Sequence, residues 1–164
     1  DADRTAEHAL YLPGVTALDM GDFAGRDIQG KAAAEFLRGS YFDDTIHGGD
    51  GNDTIVGSAG VDILTGGAGR DLFRFPELQD LGRGGAAGKR DVITDFQRGT
   101  DKIDFQFLPE DAVYLGNATA FGADATHQVR FDKGVLYFST DADATAEYAL
   151  QLTGLAAFTL DDLL

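Results

Sequence analysis

Aspartate stands at positions 44, 53, 62 and 71, every ninth residue, with glycine five residues before each and an apolar side chain two residues after. Carboxylates are hard oxygen donors suited to cations such as Ca2+ or Mg2+, and in pairs they also serve general acid/base chemistry. The rest of the chain supplies little catalytic company. There is no cysteine, and the three histidines, His8, His47 and His127, sit apart with none in an H-E-x-x-H. Neither a G-x-S-x-G elbow nor a phosphate-binding glycine loop is present. Glu7 and His8 alone make no site, and His47 takes an outward place of its repeat. The recurring carboxylates therefore read as cation ligands or turn residues, and the chain as non-catalytic.

Composition points the same way. With 28 acidic and 13 basic side chains in 164 residues the formal charge is −15, which opposes binding to nucleic-acid phosphates or anionic lipid and favours cations as company. The acids are 23 Asp against 5 Glu, and 22 residues are glycine, a bias toward turns over helices. The length fits one domain with a real core. Absence of cysteine excludes a disulfide scaffold and a thiolate metal site, and no apolar run is long enough for a transmembrane helix. The chain begins at Asp1 with neither a basic start nor an apolar stretch, so it reads as a piece of a longer protein; if that parent is exported, its address lies upstream or at the C-terminus.

Elements that position these carboxylates follow from the same period. Glycine recurs at 21, 30, 39, 48, 57 and 66, and seven residues after each comes Ile28, Leu37, Ile46, Ile55, Leu64 or Phe73. The intervening acid column runs Arg26, Glu35, Asp44, Asp53, Asp62, Asp71, so the acid sets in only after the first repeat. Around each apolar residue an x-U-x triplet predicts a short strand with U inward. The six glycine-rich residues before it predict a tight turn, where φ > 0 carries no Cβ penalty. A flexible acidic linker would need no apolar residue at every ninth position.

The segments GGDGNDTIV (48–56) and GGAGRDLFR (66–74) fit G-G-x-G-x-D-x-U-x, and GSYFDDTIH (39–47) and GSAGVDILT (57–65) are near copies. This pattern resembles the RTX family of calcium-binding parallel β-rolls, C-terminal modules of secreted bacterial proteases, lipases and alginate epimerases. The resemblance implies an all-β fold: a right-handed parallel β-roll in which two nonapeptides complete a coil. Residues 18 apart then stack about 4.8 Å apart, Asp44 beneath Asp62 and Asp53 beneath Asp71. Like charges so close need a cation between them, and a Ca–O distance of about 2.4 Å suits that gap better than magnesium at about 2.0 to 2.1 Å. Zinc lacks its histidine and cysteine ligands. The expected Ca2+ ligands are Asp44, Asp53, Asp62 and Asp71 with the turns at Gly48, Gly49, Asp50, Gly57, Ala59, Gly66, Gly67 and Ala68. Continuing the register past Arg74 puts Asp80 in the acid column, flanking a further ion with Asp62, and the resemblance adds Asp91. Repeats 21–29 and 30–38 read as metal-free or weakly binding capping coils.

Beyond the repeats, LGRGGAAGKR (81–90) reads as an exposed loop linking the roll to a cap. RDVITDFQRGTDKIDF (90–105) reads as two β segments around Gly99, by itself an ordinary hairpin. Its wording is similar to the segment that follows the repeats in the secreted proteases and epimerases. Short β-like runs such as VRF, VLYFS and YALQLTG predict a small antiparallel cap after Val113. STDADATAEYALQLTG resembles a further family motif, but Ala144, Thr145 and Glu147 replace its usual residues, which favours a plain solvated loop over a metal site at Asp141, Asp143 and Glu147. FTLDDLL resembles the uncleaved C-terminal signal for type I secretion, although an amphipathic end packed on the cap would read alike.

The expected organisation is a lead-in (1–20), a β-roll (21–83) and a β-rich cap with the secretion signal (84–164), forming one cooperative module. The implied function is a calcium-binding C-terminal module that folds on extracellular Ca2+, is exported by type I secretion machinery without membrane insertion, and stabilises an upstream catalytic domain. A polyuronate-binding module of a secreted mannuronan C5-epimerase is the alternative, with Arg38, Arg70 and Arg74 as candidate contacts.

Overall fold

In a computed structural model, which describes residues 24–81, 88–117, 120–122, 127–141 and 145–164, the x-U-x triplets form strands. They are β1 (Asp27–Gln29), β2 (Phe36–Arg38), β3 (Thr45–Asp50), β4 (Thr54–Val56), β5 (Ile63–Ala68) and β6 (Leu72–Phe75). Odd and even strands go to different sheets. Ile28 pairs with Ile46 and Ile46 with Leu64 in one, while Leu37 pairs with Ile55 and Ile55 with Phe73 in the other, all parallel. The 18-residue stacking is therefore real, and two nonapeptides make one coil. The U side chains meet between the two sheets, where Ile46, Ile55, Leu64 and Phe73 are fully buried. Each such burial contributes about 1.5–3 kcal/mol, offset by the entropy of ordering the chain.

The roll does not stop at the loop. Strands β7 (Asp91–Ile93) and β8 (Lys102–Phe105) form one more coil. Ile93 stacks on Leu64, and Ile103 on Phe73. The hairpin reading of residues 90–105 is corrected accordingly: the two segments pair with different sheets, not with each other. Asp91-Val-Ile93 and Asp101-Lys-Ile103 repeat the D-x-U wording of the coils, so each buries its U in the same apolar column. The loop reading of 81–90 also needs revision at its ends, because Leu81 and Arg90 are buried; residues 82–87 lie outside the described residues.

The cap continues one sheet of the roll. Strands β9 (Val113–Asn117), β10 (Gln128–Asp132), β11 (Val135–Ser139) and β12 (Tyr148–Leu152) follow in chain order. Strands β10, β11 and β12 form an antiparallel meander, β9 joins β10 in parallel, and β12 pairs in parallel with β7. The sheets are thus eight-stranded (β1-β3-β5-β7-β12-β11-β10-β9) and four-stranded (β2-β4-β6-β8). Stacked and edge-on rings join roll to cap, with Phe75 to Phe105 at 5.5 Å and Phe105 to Phe138 at 4.9 Å between centroids. No α-helix occurs among the described residues. The chain's end is docked: Leu163 bridges Ile103 of β8, and buried Asp162 pairs with Arg98 at 3.0 Å.

Candidate metal centre

Sheets that face each other with short strands place the connecting turns in two stacks, one along each edge of the roll. Turns 48–53 and 66–71 lead from β3 to β4 and from β5 to β6 along one edge; turns 39–44 and 57–62 lie along the other. The acid column becomes a ladder in each stack. On the first edge, Glu35 N–H donates to Asp53 Oδ1 (2.8 Å), Asp53 N–H to Asp71 Oδ1 (2.9 Å) and Asp71 N–H to Asp101 Oδ1 (3.0 Å). On the second, Arg26 N–H donates to Asp44 Oδ1 (2.5 Å), Asp44 N–H to Asp62 Oδ1 (2.8 Å) and Asp62 N–H to Asp91 Oδ1 (2.9 Å).

One oxygen of each carboxylate is held this way. The other, Oδ2, is buried without any hydrogen-bond partner in Asp53, Asp62, Asp71 and Asp91. An uncompensated buried carboxylate costs several kcal/mol, so four of them in one small fold demand a counter-charge. Burial pushes Asp62 up to about 7, with the charge of Asp44 adding to the rise. Burial likewise raises Asp71 and Asp101, and lifts Asp91 well above the ordinary carboxylate range with Asp62 contributing. These shifts express how badly the charged forms are solvated without a cation.

Glycine is required where these oxygens point. A Cβ on Gly48, Gly57 or Gly66 would come within 2.7, 2.3 or 2.4 Å of the Oδ2 of Asp53, Asp62 or Asp71. The second and fourth turn positions carry positive φ, at Gly49, Gly51, Ser58, Gly60, Gly67 and Gly69. Those conformations fold the turn back on itself around the carboxylate. Among the described residues no three histidine, cysteine, aspartate or glutamate side chains converge on one point. A cation held here must take turn carbonyls as well, an all-oxygen shell of the sort Ca2+ accepts with 6–8 ligands. Of the expected carbonyl donors, Ala68 already accepts from Gly51 N–H at 2.8 Å, leaving one lone pair.

Several residues sit elsewhere than the nine-residue count puts them. Asp80 is in a 3-10 turn (Leu78–Asp80), its Oδ2 taking Glu77 N–H at 2.9 Å, and the rung above Asp62 is filled by Asp91. The crossover between β6 and β7 exceeds nine residues, so the register slips there: Val92 stacks on Ile63. Asp80 still lies close enough for its charge to raise Asp62 and Asp91. Asp44 differs in that Ser40 N–H occupies its Oδ2 at 2.5 Å. Asp50 lies exposed at the end of β3. Asp95 and Asp101 were not singled out by the period. Asp95 receives Gly66 and Gly67 N–H at 2.9 and 2.8 Å, closing the top of a turn, and Asp101 ends the ladder. The D-x-U spelling at 101–103 was the available signal. Glu147 accepts from Thr140 N–H at 2.7 Å and closes its own loop; Asp143 lies outside the described residues. Arg74 is paired with Asp104 at 2.9 Å and Arg38 with Ser58 Oγ at 3.2 Å.

Comparison with known proteins agrees with this geometry. Residues 34–73 match the RTX calcium-binding nonapeptide repeat in 4 copies. Among solved structures, the AlgE6R3 subunit of the Azotobacter vinelandii mannuronan C5-epimerase is 27% identical, with 96% of this chain and 86% of that one covered and a TM-score of 0.59. The AlgE6R2 subunit of the same epimerase is 28% identical over 84% of this chain and 91% of its own, with a TM-score of 0.38. No curated protein sequence matches. Fold and site together define an all-β protein built on a parallel β-roll with carboxylate-lined turns. The chain carries an RTX module, and Ca2+ is the ion its repeats are expected to bind. RTX repeat proteins are typically secreted and the repeats themselves generally non-catalytic. No helix among the described residues is long and apolar enough to cross a membrane.

Proposed function

We propose that this chain is a C-terminal module that stays unfolded where calcium is scarce, leaves the cell through type I secretion machinery and folds on extracellular Ca2+. Residues 21–83 and 84–164 then act as one cooperative unit, with 1–20 leading in from a catalytic domain that the folded module stabilises. The observation that carries the reading is the set of four buried, unpartnered carboxylate oxygens on Asp53, Asp62, Asp71 and Asp91. With a net charge of −15 the compact state is self-repelling, and each Ca2+ bound would neutralise two charges, so metal binding contributes directly to folding. The ion would supply charge neutralisation and a bridge between coils. The aspartates and turn carbonyls hold it, the glycines let the turns approach, and the U column dries the core behind them.

The tail is packed in the folded chain, as an amphipathic end would be, and the export reading requires the address to act before folding. Asp162 and Leu163 are docked on Arg98 and Ile103 in the folded chain, so an address at 161–164 is readable only before folding. Deleting Asp161 to Leu164 from a parent carrying this module is expected to abolish or strongly reduce its export through a type I channel. Export at the undiminished level would remove the terminal signal from this account.

A polyuronate-binding role is the second reading, favoured by the similarity to a mannuronan C5-epimerase subunit. Against it, Arg74 and Arg38 are engaged within the chain, and the acidic total disfavours polyanions. Affinity electrophoresis of the calcium-loaded protein in an alginate-containing gel is expected to show unretarded migration. Retardation that a chelator abolishes would establish the second reading.

A further inference from the structure

Two kinds of turn share this roll. In the first, the backbone N–H of the second residue points into the turn and donates to the acid four residues on. Lys31 donates to Glu35 Oε2 and Ser40 to Asp44 Oδ2, each at 2.5 Å, and Gln97 to Asp101 Oδ2 at 2.8 Å. In the second kind, that residue has a positive φ: 104° at Gly49, 72° at Ser58 and 98° at Gly67. The acids of those turns, Asp53, Asp62 and Asp71, keep Oδ2 buried and without a partner. Reversing the sign of φ swings the N–H out of the turn; that of Gly67 goes to Asp95 Oδ2 in the coil above, at 2.8 Å.

A carboxylate oxygen that already accepts a short N–H bond offers a cation little. An ion there would face the positive end of the peptide dipole and would have to displace it. We infer that the φ of the second turn residue decides, rung by rung, whether the acid is satisfied by its own backbone or by calcium. Glu35, Asp44 and Asp101 are thereby ion-free rungs, and the calcium array is confined to Asp53, Asp62 and Asp71, joined by Asp91 on the evidence of its own buried, unpartnered Oδ2. The repeat at 39–47 has the glycine, acid and apolar columns but carries Ser40 and Phe42 where the three repeats after it have φ > 0, and that difference removes its ion. On the first edge the array is bounded by ion-free rungs on both sides, Glu35 and Asp101, and on the second by Asp44 at its start.

This inference rests on the calcium reading above. The test is isothermal titration of the whole chain with calcium, comparing wild type with Asp44→Asn, Asp53→Asn and the double variant Ser40→Gly/Phe42→Gly. Asp44→Asn is expected to bind as many ions as wild type, Asp53→Asn one fewer, and the double variant one more. Loss of an ion in Asp44→Asn overturns the inference. Should Asp44→Asn fail to fold, the double variant decides, and an unchanged ion count there overturns it too. A wild-type chain that takes up no calcium would instead overturn the calcium reading itself.

Discussion

Stripped of divalent cations at pH 8, the chain is expected to lose most of its β signal in far-UV circular dichroism and to regain it cooperatively on adding calcium but not magnesium. Four buried carboxylate oxygens have no partner in the folded protein, and burying even one unpaired charge costs several kcal/mol, against a total stability of about 5–15 kcal/mol for a domain. Extracellular modules fill at about 10⁻⁴ to 10⁻³ M calcium, so the transition should fall in that range. Magnesium demands shorter, strictly octahedral bonds, which the stacking of the coils does not offer.

Acid should mimic part of the effect. Asp62 rises from an ordinary value of 3.8 to about 7, and Asp71, Asp80, Asp91 and Asp101 also rise, all mainly through burial. A carboxyl whose folded pKa lies above its unfolded one makes the folded state bind more protons. Its contribution is therefore most favourable below about pH 4 and is lost as pH climbs toward 7. In chelator, the β signal should be larger at pH 5 than at pH 8, while the calcium midpoint should rise as protons compete for the same oxygens. A chain fully folded in chelator at pH 8, and indifferent to calcium, would make the repeats purely structural.

Asp62→Asn is expected to move stability in opposite directions with and without the ion. Asparagine keeps an oxygen for the N–H of Asp44, which now sits 2.8 Å from Asp62 Oδ1, but removes the buried charge. Without calcium at pH 8 the variant should keep at least as much β signal as wild type, because a neutral amide costs less to bury than a carboxylate. With calcium it should need upwards of about 10-fold more ion for half-maximal folding, since losing even a residue that only orients a ligand costs about 10- to 100-fold. Asp132→Ala, on the cap and 32% exposed at its side chain, should leave the midpoint unchanged. Equal midpoints for the Asp62 and Asp132 variants would sink the ligand assignment.

The nine-residue period alone determined that glycine, acid and apolar side chains fall in columns. With the family's two-repeats-per-coil rule it also determined that Ile28, Ile46 and Leu64 stack, as do Leu37, Ile55 and Phe73. Such a reading is possible because a repeat forces every coil to solve the same packing problem. Where the period breaks, the reading broke as well. Asp91, not Asp80, stands on Asp62 because the crossover between β6 and β7 is longer than a repeat. Residues 90–105 form a coil and not a hairpin, because burying Ile93 and Ile103 in the apolar columns outweighs pairing the two segments locally.

Two features were decided by tertiary structure only. One is which carboxylates remain hungry for a cation. Asp44 and Asp53 are indistinguishable in the acid column, yet the first has both oxygens filled by backbone N–H groups and the second has one buried and bare. That outcome turns on the sign of a single backbone angle in each turn, which residue type biases and packing settles, as φ 72° at Ser58 shows. The other is the closing of the chain's end, where Asp162 finds Arg98 some 64 residues away. Spacing cannot encode a partner so distant in sequence, and only the stacking of the last coil brings the two together.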